Sequence, residues 1–268
     1  MPKILNQRVY TEPGSPGLLS DEPLVLHARS IPSRNRNLII FVHGLGGRRY
    51  GKNTTWGNFP RFVFEDLDTI DVGMYEYRTA FGRIKFWESI DLEDEARVFA
   101  DILRDLNTYD RVVLIGHSMG GLLAKAAIAY LLQTNQAKSM NLELSLVLMA
   151  TPQTGSQRLP KVLNLFSRDA RVLSPHNKFL AHIDDVFSAN VVIDGGEPGT
   201  DQLAVPTWAI LGSSDFWVDR LSAGIGLPPN RKKTIRGSHV RIVKPARKQT
   251  AAYEYVMSIL SEVMPALD

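Results

Sequence analysis

Gly116-His117-Ser118-Met119-Gly120 sets a hydroxyl between two glycines. The aliphatic run Val112-Val113-Leu114-Ile115 comes directly before it, and the helix-forming stretch Leu122-Leu123-Ala124-Lys125-Ala126-Ala127 follows. Buried strand, tight turn and helix, in that order, are the context of a nucleophile elbow, in which a strained serine holds its hydroxyl beyond the strand's carboxyl end. Side chains two residues to either side would collide in so sharp a turn, and Gly116 and Gly120 remove them. Gly-x-Ser-x-Gly alone arises often by chance. Between this strand and this helix it predicts a nucleophile at Ser118.

A serine hydroxyl attacks poorly at neutral pH unless a base takes its proton and a third group fixes that base's tautomer. In sheets that carry such an elbow the chain order is serine, acid, histidine. Downstream of Ser118, the apolar run Trp208-Ala209-Ile210-Leu211 ends in Gly212-Ser213-Ser214-Asp215. Asp215 thus stands at the carboxyl end of a strand, where functional residues of open α/β sheets gather. Asp219 is the alternative acid, its other reading being a surface carboxylate beside Arg220. Of the six histidines, His27 precedes the core strands, His43 and His117 flank motifs, and His176 and His182 fall in an irregular middle segment. His239, in a loop after Thr234-Ile235-Arg236 and before the last helix, is the candidate base. Donors for an oxyanion are expected from the backbone N–H of Met119 and of Leu45, the latter in the glycine-rich turn His43-Gly44-Leu45-Gly46-Gly47. That turn lacks the lysine pattern of a phosphate loop.

The elements that must position these groups are legible as alternating strands and helices. Leu38–Val42 is a continuous apolar run of the kind found in strands covered on both faces. Leu24–Ala28, Val72–Tyr77 and Leu142–Ala150 read as further strands. Apolar residues at helical spacing mark helices over Trp56–Leu67, from Ser89 or Asp91 to about Asn107, and from about Ala246 to Met264. Strand-helix alternation predicts crossover units and a mostly parallel sheet flanked by helices. The rhythm breaks over about 152–204, which is expected to form a small helical cap inserted in a single domain spanning 1–268.

Composition excludes several alternatives. A hydrophobic share of 44% against 22% charged suits a globule with a sizeable core. A net charge of +3 is too small to point to nucleic acid. Two basic segments, Arg231–Lys233 and Lys244–Lys248, read first as solvated surface and second as contact with an anionic membrane or an acidic substrate group. The absence of cysteine excludes disulfides, thiolate catalysis and cysteine-ligated metal. No His-x-x-x-His or Glu-x-x-His pair suggests a metal site, and no cofactor is expected. The amino terminus carries no signal-like apolar segment, and no apolar run reaches the roughly 18 residues of a membrane span. The expected location is the cytoplasm.

His43–Gly47, Gly116–Gly121, Ala150-Thr151-Pro152-Gln153-Thr154-Gly155-Ser156 and Gly237-Ser238-His239 together resemble the α/β-hydrolase superfamily. Among its members they are most similar to lipase-like serine esterases related to the inositol deacylases of GPI-anchor remodelling. Thr55-Trp56 with Phe59-Pro60, and Tyr75-Glu76-Tyr77-Arg78, extend the resemblance over about residues 36–262. It implies an α/β-hydrolase fold, a lipid or other carboxylic ester as substrate, no cofactor, and a triad of Ser118, Asp215 and His239. A thioesterase or acyltransferase would use the same triad. A hydrolase fold serving only as a binding module is the third reading, against which the intact serine, acid and histidine argue.

Overall fold

The structure is a computed structural model describing residues 6–13, 22–29, 37–51, 54–77, 92–152, 178–215, 218 and 226–264. Its centre is an eight-stranded sheet. The strands are β1 (Asn6–Val9), β2 (Leu24–His27), β3 (Asn37–Val42), β4 (Ile70–Tyr75), β5 (Arg111–His117), β6 (Glu143–Met149), β9 (Thr207–Gly212) and β10 (Lys232–Ile235). They lie in the order β1-β2-β4-β3-β5-β6-β9-β10. Only the β2–β4 pairing is antiparallel, so β3, β4, β5, β6, β9 and β10 all point their carboxyl ends to one edge of the sheet. This is the mostly parallel α/β architecture expected from the sequence.

Five helices flank the sheet among the described residues: α1 (Phe59–Asp66), α2 (Leu92–Arg104), α3 (Met119–Gln133), α4 (Lys178–Asn190) and α5 (Ala251–Val263). Because side chains alternate along a strand, each central strand feeds two cores. Leu38, Ile40, Val42, Val112 and Leu114 face the layer of α2, α3 and α4. Ile39, Phe41, Val113 and Ile115 face that of α1 and α5. Strands buried on both faces therefore read as unbroken aliphatic runs rather than as alternation.

α3 is apolar around most of its circumference because it is clamped between the sheet and the two neighbouring helices. Its one charged residue, Lys125, is buried and reaches Asp184 of α4 at 2.5 Å, with side-chain exposures of 6% and 19%. Leu180, Ile183 and Phe187 complete the α4 contact. Of the cap expected over 152–204, residues 153–177 lie outside the described residues. The remainder is α4, packed along α3, followed by two short paired strands, β7 (Val191–Val192) and β8 (Leu203–Ala204).

Two expectations shift. The last helix begins at Ala251 rather than near Ala246, since Pro245 and a run of bends separate it from the 3₁₀ turn Arg241–Val243. The basic segments are partly consumed by packing. Arg231 is buried, with its guanidinium 4.1 Å over the Trp208 ring and donating to the Asp194 carbonyl at 2.7 Å. Lys248 bonds to Glu65 and Asp66 of α1. Lys232, Lys233, Lys244 and Arg247 stay exposed. No helix among the described residues is long and apolar enough to cross a membrane.

Candidate active site

Four loops meet beyond the carboxyl ends of β3, β5, β9 and β10. Ser118 follows β5 and opens α3 with φ 53° and ψ −122°, a backbone conformation that L-residues rarely adopt. Neighbouring contacts show what holds it there. The Ser118 N–H donates to the Met149 carbonyl at 3.0 Å, and the Ser118 carbonyl accepts from Gly121 N–H at 3.1 Å. A Cβ on Gly116 would lie 2.5 Å from Gly121 Cα, and one on Gly120 would lie 2.2 Å from the His43 oxygen. The glycines are therefore required by close approach of backbone to backbone, as the elbow demands. Thr151 braces the turn from the β6 side: its hydroxyl lies 3.4 Å from the Gly116 carbonyl, and its side chain fills the space where a Gly121 Cβ would be.

Asp215 and His239 come together. His239 Nδ1 lies 2.8 Å from Asp215 Oδ2, with side-chain exposures of 13% and 1%. An ionised carboxylate only accepts, so Nδ1 carries the hydrogen, and the unprotonated nitrogen of the neutral ring is Nε2. The other carboxylate oxygen accepts the Val218 N–H at 3.1 Å. The two loops are also knitted through backbone: Ser213 N–H donates to the Ile235 carbonyl at 2.7 Å, and Ser214 N–H to the Gly237 carbonyl at 3.0 Å. Asp219 lies outside the described residues. The His239 loop is joined to the elbow by His117, whose Nε2 is 3.0 Å from the His239 carbonyl and whose ring centroid is 4.7 Å from that of His239.

The expected oxyanion loop lies against the elbow. An added Cβ on Gly44 would stand 3.0 Å from Ser118 Cβ, so the turn after β3 runs directly beside the serine. Met119 is the first residue of α3, and its N–H, like those of any first helical turn, has no acceptor within the helix. Leu45 sits half-buried in the same turn as Gly44.

What sequence reasoning missed is the clamp behind that turn. Tyr77, just past β4, donates its N–H to His43 Nε2 at 3.4 Å and its O–H to the His43 carbonyl at 2.9 Å. The two rings stack at 4.5 Å and 8°. His43 Nδ1–H then donates to the Gly44 carbonyl at 2.9 Å. Burial depresses the His43 pKa below the ordinary imidazole value, so the ring serves as a neutral spacer under the turn. Only the aromatic type of Tyr77 and its place at a strand end hinted at this. Among the described residues no group of three or more His, Cys, Asp or Glu is disposed to hold a metal.

A sequence model of the family described as "Alpha/beta hydrolase family" matches residues 39–247. No curated protein matches the chain. Among solved structures it is similar to one from a study of carboxylesterases of the ammonia-oxidizing thaumarchaeon Nitrososphaera gargenis, with TM-score 0.52 and 13% identity over 92% of this chain and 98% of that one. It is also similar to the type II thioesterase BorB of the borrelidin biosynthetic cluster, with TM-score 0.53 and 18% identity over 92% and 98%. A third is esterase B from Lactobacillus rhamnosis, inhibited by a tributyrin phosphonate, with TM-score 0.51 and 16% identity over 92% and 82%. At these identities the likeness is one of fold.

Proposed function

Because the chain belongs to the alpha/beta hydrolase family, we propose that it cleaves carboxylic esters of a small molecule or lipid by acyl transfer to Ser118. The observation that carries this reading is the short Asp215–His239 contact at 2.8 Å, buried beside an elbow whose serine has φ 53°. Ser118, Asp215 and His239 stand in the loops beyond β5, β9 and β10, with the Asp215 carboxylate bonded to the His239 ring and the His117 ring bonded to the His239 carbonyl.

In this mechanism the Ser118 Oγ–H gives its proton to His239 Nε2 as Oγ bonds to the ester carbonyl carbon. The carbonyl electron pair moves to oxygen, and the N–H groups of Met119 and Leu45 donate hydrogen bonds to the resulting oxyanion. Collapse breaks the bond to the alcohol oxygen, which takes the proton from His239. Water then repeats the sequence, losing a proton to His239 and releasing the acid and Ser118. Asp215 holds the tautomer throughout and stabilises the imidazolium as it forms.

The test is a panel of p-nitrophenyl esters of increasing chain length beside the matching acyl thioesters, run on the full chain and on Ser118→Ala. Ester turnover that disappears in the variant supports the proposal. Preference for thioesters would make the chain a thioesterase acting through the same serine. Equal residual rates in both proteins would refute nucleophilic catalysis by Ser118.

A further inference from the structure

The ring packed against that of His239 belongs to the residue immediately before the serine. His117 ends β5, and its Nε2 lies 3.0 Å from the main-chain oxygen of His239. A carbonyl only accepts, so Nε2 bears the hydrogen and Nδ1 is the unprotonated nitrogen. Trp56 packs edge-on against the ring, with centroids 6.2 Å apart at 73°. On the other side stands Gly44, where a Cβ would come within 3.0 Å of Nδ1. Nδ1 itself is buried and has no hydrogen-bond partner among the described residues. The ring is thus wedged in one orientation, and its single hydrogen bond is spent on the base loop.

The His117 bond adds a main-chain anchor to the side-chain one. The next turn of the loop is closed by the Ser238 carbonyl, which accepts from Arg241 N–H at 3.1 Å and Ile242 N–H at 3.3 Å. Asp215 holds the imidazole at Nδ1 and His117 holds its backbone. The first bond sets the tilt of the ring, the second the place of the main chain that carries it. Since His117 is covalently joined to Ser118, the second anchor measures the base's position from the nucleophile itself.

We propose that His117 is a positioning residue for the hydrolysis described above, its Nε2–H holding the His239 carbonyl so that the His239 imidazole stays aligned with Ser118. This rests on the reading of His239 as the base. Burial, and next the charge of His239, push the His117 pKa well below the ordinary imidazole value. The ring is therefore neutral when His239 takes up its proton, and no second cation opposes that step.

The experiment compares His117→Phe, His117→Asn and His117→Gln with the wild type. The readouts are the rate of fluorophosphonate labelling, kcat and KM on a soluble p-nitrophenyl ester, and thermal midpoint. Gln carries an amide N–H about where Nε2 lies; Phe keeps the ring without a donor; Asn has a donor that falls short. Phe and Asn are expected to lower labelling rate and kcat by about 10- to 100-fold, the scale of a misplacement near 1 Å, with KM little changed. Gln is expected to recover most of the loss. Should Phe fail to fold, the Asn–Gln difference decides. Labelling of Phe or Asn at the wild-type rate, or a folded Gln variant no better than Asn, would overturn the inference. A wild type that takes no label at Ser118 would instead overturn the hydrolase reading, and this inference with it.

Discussion

Replacing Gly120 by alanine should damage both the fold and the oxyanion turn, because there is no room for one more carbon. The added Cβ would lie 2.2 Å from the His43 oxygen and 2.4 Å from the Val42 oxygen. Carbon and oxygen ordinarily approach to about 3.3 Å, so one backbone segment must move by roughly 1 Å. Neither neighbour yields cheaply. Val42 is fixed in the centre of the sheet, and the His43 carbonyl accepts the Tyr77 hydroxyl at 2.9 Å. Overpacking of a core costs about 1–3 kcal/mol where side chains can adjust. With backbone on both sides the upper end, about 3 kcal/mol, is expected, which lowers the thermal midpoint by roughly 6–12 °C in a chain of this size. The same displacement carries the turn that presents the Leu45 N–H, and loss of one oxyanion donor costs about 10²–10³ in kcat. Gly51→Ala is the control: φ there is 86° and nothing lies within 4 Å of the new carbon. It should cost about 1 kcal/mol through backbone strain and leave kcat unchanged. Circular dichroism melts with esterase kinetics on the three proteins decide. A Gly120→Ala protein that melts and turns over like the wild type would refute the reasoning.

Other perturbations separate strain, charge and protonation. At a relaxed buried site alanine would be more stable than glycine by about 1–2 kcal/mol. At Ser118, with φ 53°, relief of about 1–3 kcal/mol should bring Ser118→Gly level with or above Ser118→Ala in urea titrations; a Gly variant clearly below the Ala variant would contradict a strained elbow. Lys125→Met should cost about 1.5–3 kcal/mol by removing the buried ammonium's bond to the partly exposed Asp184 carboxylate; a variant as stable as the wild type would show the pair to be idle. His27, His43 and His117 all have folded-state pKa values lowered, chiefly by burial, from an ordinary 6.5. Their stabilisation is therefore present above about pH 6.5 and lost as pH falls below it, at up to about 1.4 kcal/mol per pH unit for each. Glu95, whose carboxyl is raised by burial, offsets part of this as it protonates. Urea midpoints that stay flat from pH 7 to 5 would contradict neutral buried histidines.

The sequence is most legible where local rules and the fold agree. Leu38–Val42 and Val112–Ile115 are strands covered on both faces, and an unbroken aliphatic run has few other uses. The elbow is legible because its glycines answer a backbone contact of 2.5 Å or less rather than a preference. Strand ends and chain order restrict the choice among six histidines and many carboxylates to Asp215 and His239, whose side chains meet at 2.8 Å. Contacts made between distant elements left no such trace. The Lys125–Asp184 pair joins residues 59 apart, and the bond from His117 to the His239 carbonyl spans 122. Neither side chain announces its partner. The helix expected from about Ala246 starts at Ala251, because the polar stretch Arg247–Thr250 runs as bends and Thr250 is extended, with φ −106° and ψ 141°.

The central claim is that the Ser118 hydroxyl is made nucleophilic by His239. A fluorophosphonate probe reacts at such a serine without needing a matched substrate, and peptide mapping by mass spectrometry locates the adduct. The account predicts one adduct, on the peptide carrying Ser118, lost in Ser118→Ala and slowed by at least about 10³-fold in His239→Ala. A folded wild type that takes no label, or a His239→Ala variant that labels as fast as the wild type, would contradict it.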